Sequence, residues 1–322
     1  MRGGLARRVL ARAARLAVVF FGATLGCFLL LSRLPGDMCI AQLGFNAGVP
    51  GLLEKCRHGY GLDQSLLHQY GNWLGHMVRL DLGTDPISQR PMSVLIGMRF
   101  GRSLELAVVT LAISLVIGVL LGTVMAYRKG SRLDRVLSGL CMSFVSIPVF
   151  VSAVVLIIVF VAHLGWFPAS GLPPWRVDPV RHIKSLVLPV TTLVLIHLPV
   201  IARVVRADMI TTLQADFVTA ARAKGLSDAR ILVRHVLRPS SFTLITVAGL
   251  MAGELLSGLV IVERFFNLDG LGSMFYGAIA ARSSFLLMTL VTYVVAFWVV
   301  LNMVIDVLYA WLDPRLRRTA VT

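Results

Sequence analysis

Six long apolar runs divide this chain, and almost every one is bounded by arginine or lysine. They cover 16–31, 104–127, 137–164, 186–205, 241–262 and 285–311. An α-helix needs about 20 apolar residues to cross the hydrocarbon of a bilayer. In that solvent each backbone amide must be satisfied within its own segment, which leaves helices as the form such runs take. Composition agrees. Of 322 residues, 57% are hydrophobic and 15% charged, with a mean hydropathy of +0.81, which excludes an ordinary soluble domain. The net charge of +15 invites a nucleic-acid reading. The positive side chains, however, flank apolar spans instead of clustering beside aromatics, so the expected partner is membrane lipid and not nucleic acid.

Orientation follows from the basic clusters. Arg2, Arg7, Arg8, Arg12 and Arg15 precede the first span, and no small-x-small cleavage site follows it, so we expect an uncleaved helix starting inside. Arg128, Lys129, Arg132 and Arg135 mark a second cytoplasmic loop, Arg203 and Arg206 a third, and Arg315, Arg317 and Arg318 a cytoplasmic end. Arg176, Arg181 and Lys184 fall outside, against the rule. The resulting layout is all-α with six transmembrane helices. It has a cytoplasmic N-terminus at 1–15, a first helix at 16–34 and an exterior region at 35–101. A membrane core at 102–312 and a cytoplasmic tail at 313–322 complete it.

Within these boundaries local signals stand out. Gln64 to Leu80 has helical periodicity through Leu66, Leu67, Tyr70, Trp73, Leu74 and Met77, which reads as a surface or interfacial helix. Gly118-x-x-x-Gly122 offers a small-residue face for close packing, and Ser146-Ile-Pro148 a kink within the third span. Cys39 and Cys56 share the extramembrane stretch and pair if it faces an oxidising compartment, whereas Cys27 and Cys141 lie in apolar runs. His58, His68 and His76 lack carboxylate or cysteine partners at ligand spacing, so no metal site is expected.

The longest internal hydrophilic stretch with helical character is Ala215 to Pro239, between spans four and five. Asp216 reads as an N-cap, Ala220, Ala221 and Ala223 favour helix, and Gly225 supplies a left-handed stop. Ser227 then caps a second helix, with Asp228 in its first turn, Arg234 and Arg238 near its end, and Pro239 closing it. No Gly-x-x-x-x-Gly-Lys-Ser/Thr loop, His-Glu-x-x-His or Gly-x-Ser-x-Gly occurs. The chain is therefore expected to be no enzyme and to bind no cofactor. Energy for uphill transport must then come from an ion gradient or from another subunit. Ionisable residues inside apolar spans are functional candidates: Glu254 in span five, His197 in span four, and Asp306 beside Asn302 in span six. Glu105, at the outer edge of span two, is a cap or a gate residue. Each has a structural alternative as a satisfied hydrogen-bonding group between helices.

Asp216-Phe-Val-Thr-Ala-Ala-Arg-Ala-Lys-Gly-Leu226 with Arg234-His-Val-Leu-Arg238 resembles the EAA loop of ABC importer permeases. The likeness is to the dipeptide/oligopeptide/nickel branch, first permease subunit type. Further matches run along almost the whole chain. They are Tyr60-Gly-Leu-Asp-Gln64, Gln69-Tyr70-x-x-Trp73-Leu74, Leu80-Asp-Leu-Gly83, Ser103-Leu-Glu-Leu-Ala107, Ser146-Ile-Pro148, Leu188-Pro189, Glu263-x-Phe-Phe, Gly270-Leu-Gly272 and Asp313-Pro-Arg315. Thr219 stands where the broad pattern has Glu, and Asp269 where Pro usually precedes Gly270.

The resemblance implies coupling helices at 215–238, with Asp216, Ala220, Ala221, Lys224, Gly225, Leu226, Arg234 and His235 meeting a separate ATPase subunit. It also implies a second homologous permease, two ABC ATPases that bind the ATP, and an extracytoplasmic substrate-binding protein meeting the exterior region. The setting would be a bacterial inner membrane with both termini cytoplasmic. Glu254, Glu105, His197 and Asp306 are the translocation-pathway candidates. Short peptides are the expected cargo, with nickel or a metal chelate as the alternative. A secondary transporter using Glu254 or Asp306 as a proton site predicts repeat symmetry between halves, which the sequence lacks. A structural scaffold predicts that Glu254→Gln has no effect on transport.

Overall fold

A computed structural model describes residues 2–33, 38–43, 47–79, 81–82, 90–227, 231, 237–281 and 283–312. Twelve α-helices are described: α1 (Arg2–Ser32), α2 (Met38–Leu43), α3 (Leu52–Gly59), α4 (Leu66–Val78), α5 (Met92–Tyr127), α6 (Arg132–Ser146), α7 (Val149–Leu156), α8 (Pro179–Leu213), α9 (Asp216–Ala223), α10 (Leu237–Phe265), α11 (Leu271–Ala280) and α12 (Ser284–Leu312). A π-turn, Ile157–His163, continues α7.

Four of these helices are long and apolar enough to cross a membrane, and up to six spans result if each of two bent pairs counts as one. The kink expected at Ser146-Ile-Pro148 is a break: α6 and the α7 segment meet at 100°. Pro148 removes a helix donor and pushes Ile147 into extended backbone, φ −87° and ψ 122°, which ends α6 outright. The second bent pair, Leu244–Leu255 with Gly258–Phe265, turns by 51°. The helix of span two starts earlier than expected, at Met92 and not Leu104, because no proline interrupts that stretch. Glu105 consequently lies inside α5 and is no cap.

Two compact units make up the chain. One comprises Met1–Gly101 and Ser273–Leu301. In it α4 docks on α1: Thr24 Oγ1 and Tyr70 Oη share a hydrogen bond of 3.0 Å, and the Tyr70 ring lies 5.4 Å from Phe28 and 5.5 Å from Trp73. Tyr70, Trp73, Leu74 and Met77 face inward as the periodicity requires, but Leu67 is 84% exposed. Cys39 and Cys56 form a disulfide that ties α2 to α3. The turn into α4 is held by Gln69, whose Nε2 donates to the Leu62 and Gln64 carbonyls at 3.2 and 2.8 Å. Gly61, with φ +65°, supplies the left-handed step there.

The second unit comprises Arg102–Gly272 and Asn302–Thr322, with α8 at its centre. Of the apolar stretch of α8, 61% is buried inside the molecule, against 6% for α1. Asp178 caps α8 by accepting the Arg181 amide at 2.9 Å, and Pro179 occupies the first turn where its missing donor costs nothing. The α5–α8 contact is as close as Gly118-x-x-x-Gly122 implies. A methyl group at Gly118 would stand 2.7 Å from Ile201 Cγ2, and one at Gly122 2.6 Å from the Ala202 carbonyl oxygen. One apolar core joins Leu106, Leu186, Leu193, Leu255, Leu259 and Phe266. Another joins Ile201, Val205 and Met209 of α8 to Val218 and Ala221 of α9 and Met251 of α10.

Candidate functional site

Asp216 begins α9 itself rather than preceding it, a one-residue shift in the boundary. Gly225 has φ +77° and ends the helical run as the sequence implies. Val218 and Ala221 are buried against α8, and Leu226 packs on the same cluster. Asp216, Ala220, Lys224 and Gly225 are exposed. The coupling candidates therefore divide into an inward set, Ala221 and Leu226, that anchors α9, and an outward set free to meet another surface. Phe217, 46% exposed, belongs with the outward set and was not singled out by sequence. Helical phase gives no signal for it, because Phe217 lies one turn from the buried Ala221 and next to the buried Val218. Arg234, His235 and Asp228 lie outside the described residues. Pro239 falls within the first turn of α10, where its missing donor costs nothing.

At the helix leading into α9, Arg206 makes a two-pronged ion pair with Asp134 of α6. Its Nε and Nη2 donate to the two carboxylate oxygens at 2.7 and 2.8 Å. The same carboxylate accepts from the Gly130 amide at 3.0 Å, while Ser131 Oγ caps α6 by accepting the Asp134 amide at 3.2 Å. Asp134 is 3% exposed, so its charge is balanced by geometry that matches the guanidinium fork. Sequence reasoning read Arg206 only as a sidedness marker, because a partner 72 residues away has no local signature.

The pathway candidates separate into two places. Glu105 Oε1 accepts from His182 Nε2 at 2.8 Å, and His182 Nδ1 lies 2.7 Å from the Pro173 carbonyl oxygen, so this carboxylate joins α5 to α8 and the preceding loop. His197 is buried in α8, within electrostatic reach of Glu254, which is exposed on α10. Glu254 thus lies within electrostatic range of His197, while Glu105 is hydrogen-bonded to His182 instead. The Asp306 side chain lies outside the described residues. Among the described residues His58, His68 and His76 form no metal-binding cluster: His58 Nδ1 is 2.8 Å from Asp63 Oδ2 and His76 Nδ1 is 3.2 Å from Asp81 Oδ2.

Residues 118–318 match the family model described as binding-protein-dependent transport system inner membrane component. A relative from Brucella abortus (strain 2308) is 33% identical over 309 residues, 96% of this chain and 98% of its own. The di/tripeptide transport system permease protein DppB of Pseudomonas aeruginosa (strain UCBPP-PA14) is 32% identical over 321 residues, 92% of this chain and 95% of its own. Among solved structures, a chain of the MetNI methionine ABC transporter in an inward facing conformation aligns with a TM-score of 0.58 and 19% identity. It covers 69% of this chain and 98% of its own, a likeness of fold. With a family model over well more than half its length and relatives above 30% identity along nearly all of it, this chain belongs to the binding-protein-dependent transport system inner membrane components, as the permease subunit of an ABC importer.

Proposed function

We propose that the chain forms half of a translocation pathway for short peptides, driven by ATPase subunits that it does not contain. The observation that carries the peptide reading is likeness to a di/tripeptide permease over 92% of the chain. In this reading six spans cross the inner membrane with both termini cytoplasmic, each bent helix pair counting as one. A second homologous permease completes the pathway, two ABC ATPases bind the ATP, and a substrate-binding protein delivers cargo to the exterior region. The α9–Gly225 hairpin is the coupling element. Its buried face, Val218 and Ala221, fixes it to α8, and its exposed face, Asp216, Phe217, Ala220 and Lys224, seats on the ATPase. A helix anchored by one face transmits a push as rigid-body motion, where a loose loop would absorb it. Glu254 and His197 lie along the pathway, and Glu105 braces its outer end.

The complex co-purified with its partners and placed in proteoliposomes tests this. ATP-dependent uptake of a labelled dipeptide is expected, and no ATP hydrolysis by the chain alone. Gly225→Pro should abolish uptake, because proline cannot adopt φ +77°. Gly225→Asn, which tolerates the left-handed region, should keep most of it. Uptake intact in Gly225→Pro, or transport of nickel in place of peptide, would overturn the reading.

A further inference from the structure

We propose that Ser103, Glu263, Gly270 and Gly272 form a clasp that fixes the α10–α11 connection to α5, and that this clasp stays closed while the importer cycles. The four positions fall in three separate stretches of sequence, each read above only as a family match, and they meet in one place within the Arg102–Gly272 unit.

Glu263 lies in the last turn of α10 and is 1% exposed. Ser103 of α5, 2% exposed, donates its hydroxyl to Glu263 Oε1 at 2.5 Å and accepts the Leu271 amide at 2.8 Å. Leu271 is the first residue of α11, so its amide is one of the donors a helix start leaves without an internal partner. A serine 168 residues away supplies the acceptor. The hydroxyl thus spends its one proton on the end of α10 and a lone pair on the start of α11.

The glycines complete the arrangement by what they lack. A methyl group at Gly270 would run into the Glu263 carboxylate, and one at Gly272 into the Val260 backbone. The carboxylate therefore fills space that exists only because both positions are glycine. Around it Leu268 donates its amide to the Glu263 carbonyl at 2.8 Å, and Gly171 donates to the Phe266 carbonyl at 3.1 Å. At the rim Arg102 Nη1 reaches Asp269 Oδ2 at 3.3 Å. A buried carboxylate is costly to leave without hydrogen bonds, so opening the clasp strands Glu263 and exposes the α11 start together.

The consequence for transport, which rests on the importer reading above, is mechanical. The sequence between α9 and the clasp is α10 and its lead-in, so α10 is the path by which displacement at the coupling end reaches α11. With 266–270 pinned, the displacement is delivered to α11; with the clasp cut, the connection absorbs it. Ser103 and Glu263 are positioning residues: they act through the helices that they hold.

The test uses the co-purified complex in proteoliposomes. Wild-type uptake of a labelled dipeptide is the precondition, and its absence would strike the importer reading rather than the clasp. Ser103→Ala and Gly270→Ala should each lower uptake at least ten-fold and remove stimulation of ATP hydrolysis by peptide-loaded binding protein, while basal hydrolysis persists. Ser103→Thr, which keeps the hydroxyl, should restore most of both. In a chain with Cys27→Ser and Cys141→Ser, Arg102→Cys and Asp269→Cys bridged by a bifunctional thiol reagent should transport within two-fold of the unbridged form. Wild-type uptake by a normally assembled Ser103→Ala complex would overturn the proposal. So would loss of uptake on bridging, which would mean that the clasp opens in the cycle. Should the Ser103 and Gly270 variants fail to assemble, the bridging result alone decides, retention supporting the clasp and loss refuting it.

Discussion

His58 illustrates what a single side chain contributes here. The Asp63 hydrogen bond, more than its charge, raises the imidazole pKa above its ordinary value, and the same bond lowers that of the Asp63 carboxyl. A histidine whose folded pKa is raised stabilises the fold at low pH and loses that contribution as pH rises through the folded value. Both groups are exposed, so the effect belongs to the titration and not to global stability. Histidine NMR on the intact chain in nanodiscs should place His58 above free imidazole, with Asp63→Asn bringing it back down; an unchanged titration in that variant would contradict the pairing. Local signals of this kind were only half legible. Nothing in the spacing joins His58 to Asp63 rather than to the other two histidines. Neither Asp134–Arg206 nor Ser103–Glu263 was legible at all, because partners 72 and 160 residues apart leave no spacing rule. Gly225 was legible, since one residue type dominates the left-handed helix stop.

Among the elements, α5 and α8 were the most readable pair. Glycines four residues apart in an apolar helix imply an approach too close for side chains, and the contact with Ile201, Ala202 and Val205 bears this out. Gly122→Ala should therefore destabilise by about 1–3 kcal/mol through overpacking. Gly139→Ala is the control. It lies on an exposed face of α6 with open space around it, and alanine there should be neutral or stabilising by up to about 1 kcal/mol. Thermal unfolding of the purified complex in detergent compares them, and equal melting temperatures would contradict the packing argument. The α6–α7 break was legible as a place and not as an angle. Proline removes a hydrogen bond, but tertiary packing decides whether the helix bends slightly or turns by 100°. The early start of α5 was missed because Arg99 and Arg102 look like a span boundary, although charged residues continue a helix perfectly well beyond the apolar stretch.

For the molecule as a whole, helical class and membrane placement came from hydropathy alone, since a bilayer leaves so few alternatives. Compartment was legible only as a condition. Cys39 and Cys56 do pair, closing a loop across 17 positions in the region assigned to the exterior. Cross-linking a loop of about that length restricts the unfolded chain by roughly 3 kcal/mol. Cys56→Ser should accordingly make residues 36–100 cleavable by external protease at lower temperature, while leaving the Gly118–Gly122 contact intact; unchanged protease resistance would argue against a stabilising bond. The importer proposal turns on α9 and the residue after it, where Asp216, Phe217, Ala220 and Lys224 are exposed. The most direct measurement places a photo-crosslinking amino acid at Phe217 in the assembled importer and identifies the protein captured. The account predicts an ATPase subunit, with labelling of position 217 from the outside by a membrane-impermeant reagent absent. Capture of no ATPase, or ready labelling from the outside, would contradict it.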